Sequence, residues 1–475
     1  MSSAISEDPR PPAPDISAPV RPDGLHGAAR QRAMLAIALS VLLSTLDYAV
    51  ANVALPTIAH DIHCSAADSI WVINGYQLAT LIGLLPLASL GEIRGQDRIC
   101  RIGLVVFIIA SALCAASDSL PQLAGARVLQ GLGGACIMSV NASLVRAIYP
   151  QSLLGKGIAL NGLVVALGVA LGPTIASAVL SVASWRWIFL INLPLGGAAL
   201  LFASTSLPRT PRSARRFDLA SAALSMLALG PLFLGLDRFA HHGAIGLSLV
   251  LVALGAACLA WLVRRQLSIA EPLLPVDLLR LGEFRSAFTV GVLGFVSSNF
   301  FIIAMPFFFE ASLHRSAVQT GLLITPWPLA IVAISPLVGR LADRHSAGLL
   351  SSVGLLITAT GFTLLWQMPS NPSDFDIAWR IALAGSGFGL FQAPNNRAML
   401  TAAPMRRSGG ASGMIPVARL LGQTIGAMLV ALVFGLLPYE SARHCLAFGA
   451  LVGLTGALLS ARRLLPPRRP QPVAG

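Results

Sequence analysis

Apolar stretches long enough to cross a bilayer, about 20 residues each, recur along the chain between charged or Pro- and Gly-rich breaks. The pattern predicts fourteen membrane helices. The first eight fall over 34–58, 69–91, 99–117, 122–146, 158–181, 186–207, 219–239 and 243–263. The last six fall over 286–311, 320–342, 349–368, 377–402, 411–435 and 444–464. Asp237 and Arg238 stand near the turn between two apolar runs, so 219–263 reads as a hairpin of two spans. Residues 1–33 are polar, hold six Pro and contain no apolar signal-peptide core, and read as a disordered cytoplasmic tail.

Composition narrows the class. The chain of 475 residues is 55% hydrophobic and 11% charged, where a soluble domain carries about a quarter charged residues. That excludes a disordered chain, a nucleic-acid binder with a solvated basic face and an ordinary soluble enzyme. What remains is an all-α, polytopic membrane protein. The net charge of +13 is explained by topology. With the N-terminus inside, 26 of the 33 basic residues fall on inner segments and 5 on outer ones, while Arg127 and Arg419 lie within spans. This is the positive-inside distribution, so no nucleic-acid partner is needed. Lys156 is the single Lys. The six Cys are scattered without a CxxC, and no metal site is expected.

The chain repeats itself. "LASLGEIRGQDR" follows the second span and "LVGRLADRHSAG" the tenth, each placing an acid and an Arg in a short inner loop. Glu92 and Asp343 are 251 residues apart; Met34 and Ser286, which open the first and ninth spans, are 252 apart. The expected organisation is therefore a tail (1–33), a six-helix bundle (34–207), an inserted hairpin with a linker (208–285), a second six-helix bundle (286–465) and a C-terminal tail (466–475). Repeated halves around a central path are the architecture of secondary transporters.

Several local motifs point the same way. They are "LDYAVANVALPTIAHDI" (46–62), "WVINGYQL" (71–78), "RVLQGLGGA" (127–135), "GVALGP" (168–173) and "WRWIFLINLPLG" (185–196), with "FQAPNNRAML" and "GGASGMIPVARLLGQTIG" in the second half. On these, in order and on the right spans, the chain resembles the major facilitator superfamily, and within it the fourteen-span drug:proton antiporter branch. The first inner loop departs from that branch, with Gln96 and Asp97 where basic residues are usual; Ala176 and Ser177 stand where the helix-five motif ends in two Gly. The resemblance implies a proton-coupled exporter of hydrophobic, cationic drug-like compounds in the bacterial inner membrane, with both termini cytoplasmic. Its partners are a small-molecule substrate, protons and the lipid bilayer; it uses no cofactor beyond the coupling proton. Each chain holds both halves, so a monomer suffices. The alternative is a proton-coupled transporter of one specific metabolite. A membrane-embedded enzyme is disfavoured, since the eight His lie mostly near loops and no HExxH or GxxxxGK[ST] occurs.

Individual residues carry the mechanistic reading. Asp47 lies near the middle of the first span, where a carboxylate costs about 2.5–3.5 kcal/mol on insertion scales. Ser40, Ser44, Asp47, Ala51 and Ala54 form one small, polar helical face. Burial favours the protonated form of a carboxylic acid, which suits a proton carrier; a structural acid paired to an Arg is the competing reading. Arg127 heads a stripe with Gln130, Gly134 and Asn141, all within about 60° at about 100° per residue. It either biases a nearby carboxylate, as the resemblance implies, or bonds backbone carbonyls. Glu310 shares a face with Asn299 and is a third proton-coupling candidate. Candidate substrate contacts are Asn52, Tyr76, Gln77, Asn299, Phe300, Phe301, Trp327, Gln392, Asn395 and Arg419, with interhelical hydrogen bonding the alternative for the last three. Candidate gating residues are Glu92, Arg98, Asp343 and Arg344, as acid–Arg latches between the halves when the inner gate closes or as ordinary positive-inside anchors, and Gly168, Gly172 and Pro173. The resemblance implies that these three form a tight seal; plain helix packing also accounts for them.

Overall fold

The computed structural model describes residues 24–210, 212–213, 217–240, 245–269, 275–404, 407–437 and 439–464. The C-terminal tail and the tail before residue 24 lie outside the described residues. Within them the chain is helical almost throughout. Among the described residues thirteen helices are long and apolar enough to cross a membrane. The first six are α1 (Gly27–Asp61), α2 (Ala66–Arg94), α3 (Gln96–Ala115), α4 (Leu120–Ile148), α5 (Gln151–Val182) and α6 (Arg186–Ser206). The hairpin follows as α7 (Leu219–Ala240) and α8 (Ile245–Ser268). Then come α9 (Gly282–Ser312), α10 (Ala317–Ala342), α11 (Ala347–Trp366), α12 (Asp374–Ala402), α13 (Gly410–Leu436) and α14 (Ser441–Leu464). Among them α12, which carries Asp374, Asp376, Arg380 and Arg397, is the fourteenth helix beside the thirteen apolar ones. The fourteen helices fall on the fourteen apolar stretches read from the sequence.

Ends differ by a few residues for local reasons. The N-terminal helix begins at Gly27, inside the stretch expected to be a disordered tail. Residues 27–33, GAARQRA, are mostly strong helix formers, Ala33 is buried, and Leu25 N–H donates to Ile148 O at 2.8 Å. Ser65, Ser316, Ser346 and Ser373 each accept a backbone N–H at the start of a helix, supplying the caps that exposed first turns need. At Ser316 the cap is reciprocal with Gln319. Pro326 and Pro328 have no N–H to give, but Thr325 N–H donates to Gly321 O at 3.2 Å, Leu329 N–H donates to Thr325 O at 3.3 Å, and a φ of −54° and ψ of −33° at Thr325 keep α10 one rod.

Small residues set the close contacts. On α5, a Cβ at Gly168 would collide with the Thr45 side chain and one at Gly172 with Ala49, so α1 lies directly on α5. In the second half Gly422 and Gly426 admit α9, whose Val292 O and Asn299 Cβ fill the space. The hairpin is closed at its base by Asp218 and Arg265 at 3.0 Å and by Ser221, which accepts from Gln266. Burial disfavours the Asp218 charge, but Ser221 hydrogen bonds and the Arg265 guanidinium outweigh it and hold its pKa below the ordinary value. Its helix α7 rests on α2 and α13.

An even number of spans brings the start of α1 and the end of α14 to one side, the terminal face. On the opposite side α5 closes on α10. A Cβ at Gly321 would meet Ser177 Oγ and Pro173 O, and the Thr174 and Thr325 hydroxyls are 3.3 Å apart.

Candidate functional site

Asp47 sits near the middle of α1 with its side chain sealed from solvent. Arg127, equally sealed on α4, places Nη1 2.5 Å from Asp47 Oδ2. The other carboxylate oxygen accepts from Gln130 Nε2 at 2.8 Å and from Asn192 Nδ2 at 2.6 Å. Gln130 and Asn192 also donate to Ser111 Oγ on α3, at 2.9 and 3.3 Å. Arg127 Nε reaches Val72 O on α2 at 2.8 Å, and its guanidinium stands 4.5 Å from the Tyr76 ring centroid and 5.6 Å from that of Phe189, at cation–π distance. One network thus joins α1, α2, α3, α4 and α6. Arg127 Nη2 alone is buried without an acceptor among the described residues. The geometry gives Asp47 the pairing to an Arg, its competing reading, and Arg127, singled out on α4, both meets that carboxylate and bonds a backbone carbonyl. Asn192 and Ser111 were missed. Asn192 lies in the "WRWIFLINLPLG" motif, whereas nothing in the sequence marks Ser111.

A second cluster lies where the two halves meet. Tyr48 OH donates to Asn299 Oδ1 at 3.0 Å across a separation of 251 residues, the same offset that relates the two halves. Equivalent positions can touch one another only near the axis that relates the repeats. Around the Tyr48 phenol stand Gln77, Asn52, Asn299 and Arg419. Asn299 Nδ2 donates to Gln423 O on α13, and Asn52 Nδ2 donates to Tyr48 O. Both amide atoms of Gln77, Asn52 Oδ1 and Thr424 Oγ1 are buried without partners among the described residues. Tyr76 belongs to both clusters, since its ring covers Arg127 and its phenol lies within electrostatic reach of Arg419.

The remaining candidates are placed elsewhere. Phe301 and Trp327 stack at 4.8 Å and continue onto Phe362 and Phe388, while Phe300 lies against Phe448; these rings pack the interior of the second half. Asn395 ties α12 to α9 and α14, donating to Ala287 O at 2.9 Å and accepting from Arg463 at 3.2 Å. Gln392 is half-buried on α12. Glu310 ends α9 in a π-turn, and its Oε1 is buried with no partner among the described residues.

The candidate gating residues lie at the two terminal-face loops and on α5. Glu92 and Arg98 are exposed; the organised acid of that loop is Asp97, which pairs with Arg101 and accepts from the Thr210 hydroxyl at 3.2 Å. A buried first-turn position favours Asp97, where its negative charge meets a helix N-terminus. Asp343 pairs with Arg397 at 3.2 Å, whereas Arg344 is exposed. Each ion pair lies within its own half here, where the closed contact between the halves is on the opposite side. Gly168 and Gly172 likewise face α1 of their own half, and the contact between halves begins at Pro173 and Ser177. On the terminal face a cavity of about 880 Å³ opens at the ends of α9, α11, α12 and α14, lined by Arg285, Arg397, Arg462 and Arg463 with Glu283.

Two sets of six helices, an axis at which equivalent residues touch and a buried ion pair beside it define a secondary transporter. The chain belongs to the Major Facilitator Superfamily, whose sequence profile matches residues 37–298 and again 287–475. It is similar to the "Uncharacterized transporter YebQ" of Escherichia coli strain K12, at 47% identity over 94% of this chain and 99% of that one. It is 31% identical to the methylenomycin A resistance protein of Bacillus subtilis (91% of this chain, 92% of that one). Identity to the riboflavin transporter RibZ of Clostridioides difficile is 27% (83% and 86%). Among solved structures, a D-xylose-proton symporter shares the fold with a TM-score of 0.66 at 14% identity, covering 91% of this chain and 97% of that one. The protein is therefore a multi-pass membrane transporter of small molecules and not an enzyme.

Proposed function

We propose that this transporter is a proton-coupled antiporter of the fourteen-span drug:proton branch, exporting hydrophobic drug-like compounds by alternating access. It works in the bacterial cytoplasmic membrane with both termini cytoplasmic, as a monomer. The observation that carries this reading is the sealed Asp47–Arg127 pair and the amides that hold it. A proton on Asp47 cancels the charge that Arg127 neutralises. Arg127 is then a buried cation without a counter-ion, a state that costs about 3–5 kcal/mol. The protonated form is tolerated only where water or a second packing of the half relieves Arg127. Proton occupancy and conformation are thereby linked, and a substrate that shifts the same equilibrium moves in exchange for protons. The similarity to a riboflavin transporter supports a second reading, transport of one metabolite by the same mechanism.

The test is gradient-driven transport in proteoliposomes. Ethidium, riboflavin and fluorescein, a cationic, a neutral and an anionic probe, are followed across an imposed pH gradient. At least one is expected to accumulate against its own gradient, and a protonophore is expected to abolish that accumulation. Accumulation indifferent to the protonophore contradicts the reading.

A further inference from the structure

Among the described residues, Arg419 is a cation well inside a span that no acid answers. Asp47 is neutralised by Arg127. Asp97, at the terminal end of α3, is taken by Arg101. Glu310 lies at the opposite end of α9. Arg419 stands nine residues into α13 from Gly410, which is about 14 Å along the helix at about 1.5 Å per residue. It is half-buried, and among the described residues its guanidinium has no carboxylate and no hydrogen-bond acceptor; the Tyr48 and Tyr76 phenols of the first half lie within electrostatic reach, and one turn further along α13 Gln423 O accepts from Asn299. An unpaired cation within a membrane span costs about 2.5–3.5 kcal/mol on insertion scales and marks a function by default.

Its surroundings look like a receiving site. The Tyr48–Asn299 hydrogen bond places the cluster at the axis between the repeats. Transporters hold their cargo at the repeat interface near the membrane midplane. Gln77, 1% exposed, leaves both an N–H donor and a carbonyl acceptor unused, and Asn52 and Thr424 each leave an oxygen unused. Buried polar groups are otherwise hydrogen-bonded; the polar neighbour of Gln77 and Asn52 is the Tyr48 phenol, whose hydrogen is already given to Asn299, so these atoms keep capacity for a ligand. The helices that carry them share one apolar cluster across the halves, which includes Val50 on α1, Val296 on α9 and Ile425 on α13.

We propose that Arg419 is the anchor for the transported molecule, and that this molecule is an organic anion with an apolar body. Its negative group binds the guanidinium, its neutral polar groups meet Gln77 and Asn52, and its apolar part lies against the shared apolar cluster. The cluster offers a cation no free carboxylate, so the cargo's sign is opposite to that expected from the resemblance. The inference rests on the transport reading above.

Fluorescein and rhodamine 6G share a xanthene ring and differ in charge, so they isolate its effect. Binding to the full-length protein in detergent is read by fluorescence anisotropy, and transport is read in proteoliposomes. Wild type is expected to bind and move fluorescein in preference to rhodamine 6G. Arg419→Gln should weaken fluorescein binding about ten-fold or more, the size of a lost charge-assisted hydrogen bond, with thermal unfolding unchanged. Arg419→Lys should restore part of the affinity. The proposal is overturned if wild type does not bind fluorescein, if it prefers rhodamine 6G, or if Arg419→Gln binds fluorescein as wild type does. Rhodamine 6G exchanged for protons independently of Arg419 would overturn it while leaving the antiport reading intact. Arg419-dependent fluorescein binding without gradient-driven movement would support the anion site and contradict antiport.

Discussion

Neutralising Asp47 alone leaves Arg127 as a cation sealed from water, facing neutral acceptors such as Gln130 Oε1 and Val72 O and no counter-ion among the described residues. Removing Arg127 alone leaves a sealed carboxylate held by two amides. Each loss strands a charge, so Asp47→Asn and Arg127→Gln should each lower unfolding stability by about 3–5 kcal/mol. The double substitution strands nothing and should cost clearly less than the two losses added together, a coupling read by a double-mutant cycle on unfolding in detergent. Strict additivity would show that the pair does not act as a unit. Asp47 and Arg127 are legible in the sequence because each is a charge inside an apolar run. Their pairing is not, since 80 residues and two different helices separate them. Ser111 and Asn192 give weaker signals still: a hydroxyl or amide in a span is cheap enough to pass for interhelical packing.

At the scale of helices, α5 carries two different faces of small residues. Gly168 and Gly172 receive α1 of the same half, while Pro173 and Ser177 receive Gly321 of α10 from the other half. Only the second contact must open if the halves separate. A larger side chain at Gly321 has no room while α5 and α10 are closed, so Gly321→Val should hold them apart. The readout is the disulfide yield between Thr174→Cys and Thr325→Cys, whose hydroxyls lie 3.3 Å apart in the native protein. The yield should be high with Gly321 and fall several-fold with Gly321→Val; an unchanged yield would show that this contact is not the closure. Periodicity exposes a small-residue stripe but not which neighbour uses it. The same holds for the terminal-face loops. Glu92 and Asp343 were visible as repeated acids, but the Asp97–Arg101 and Asp343–Arg397 pairs depend on how each loop turns.

For the whole molecule, the fourteen helices and the repeat were readable because membrane burial writes both as long apolar runs and a fixed offset. That offset of 251 residues reappears physically in the Tyr48–Asn299 hydrogen bond. The order of helices around the axis, and hence which polar residues converge there, is written in no local pattern. Phe300, Phe301 and Trp327 show the consequence, since aromatic residues in an apolar run fit a cavity wall or a packed interior equally well, and the structure stacks them inside the second half. The central claim is that Asp47 links proton occupancy to alternating access. Interior pH and probe movement followed together in proteoliposomes, for wild type and Asp47→Asn, test it most directly. Wild type should move protons against probe. Asp47→Asn should lose gradient-driven accumulation more than about ten-fold, equivalent to about 1.4 kcal/mol of coupling, while still exchanging labelled for unlabelled probe when no gradient is imposed. Undiminished proton-coupled accumulation in Asp47→Asn would contradict the claim.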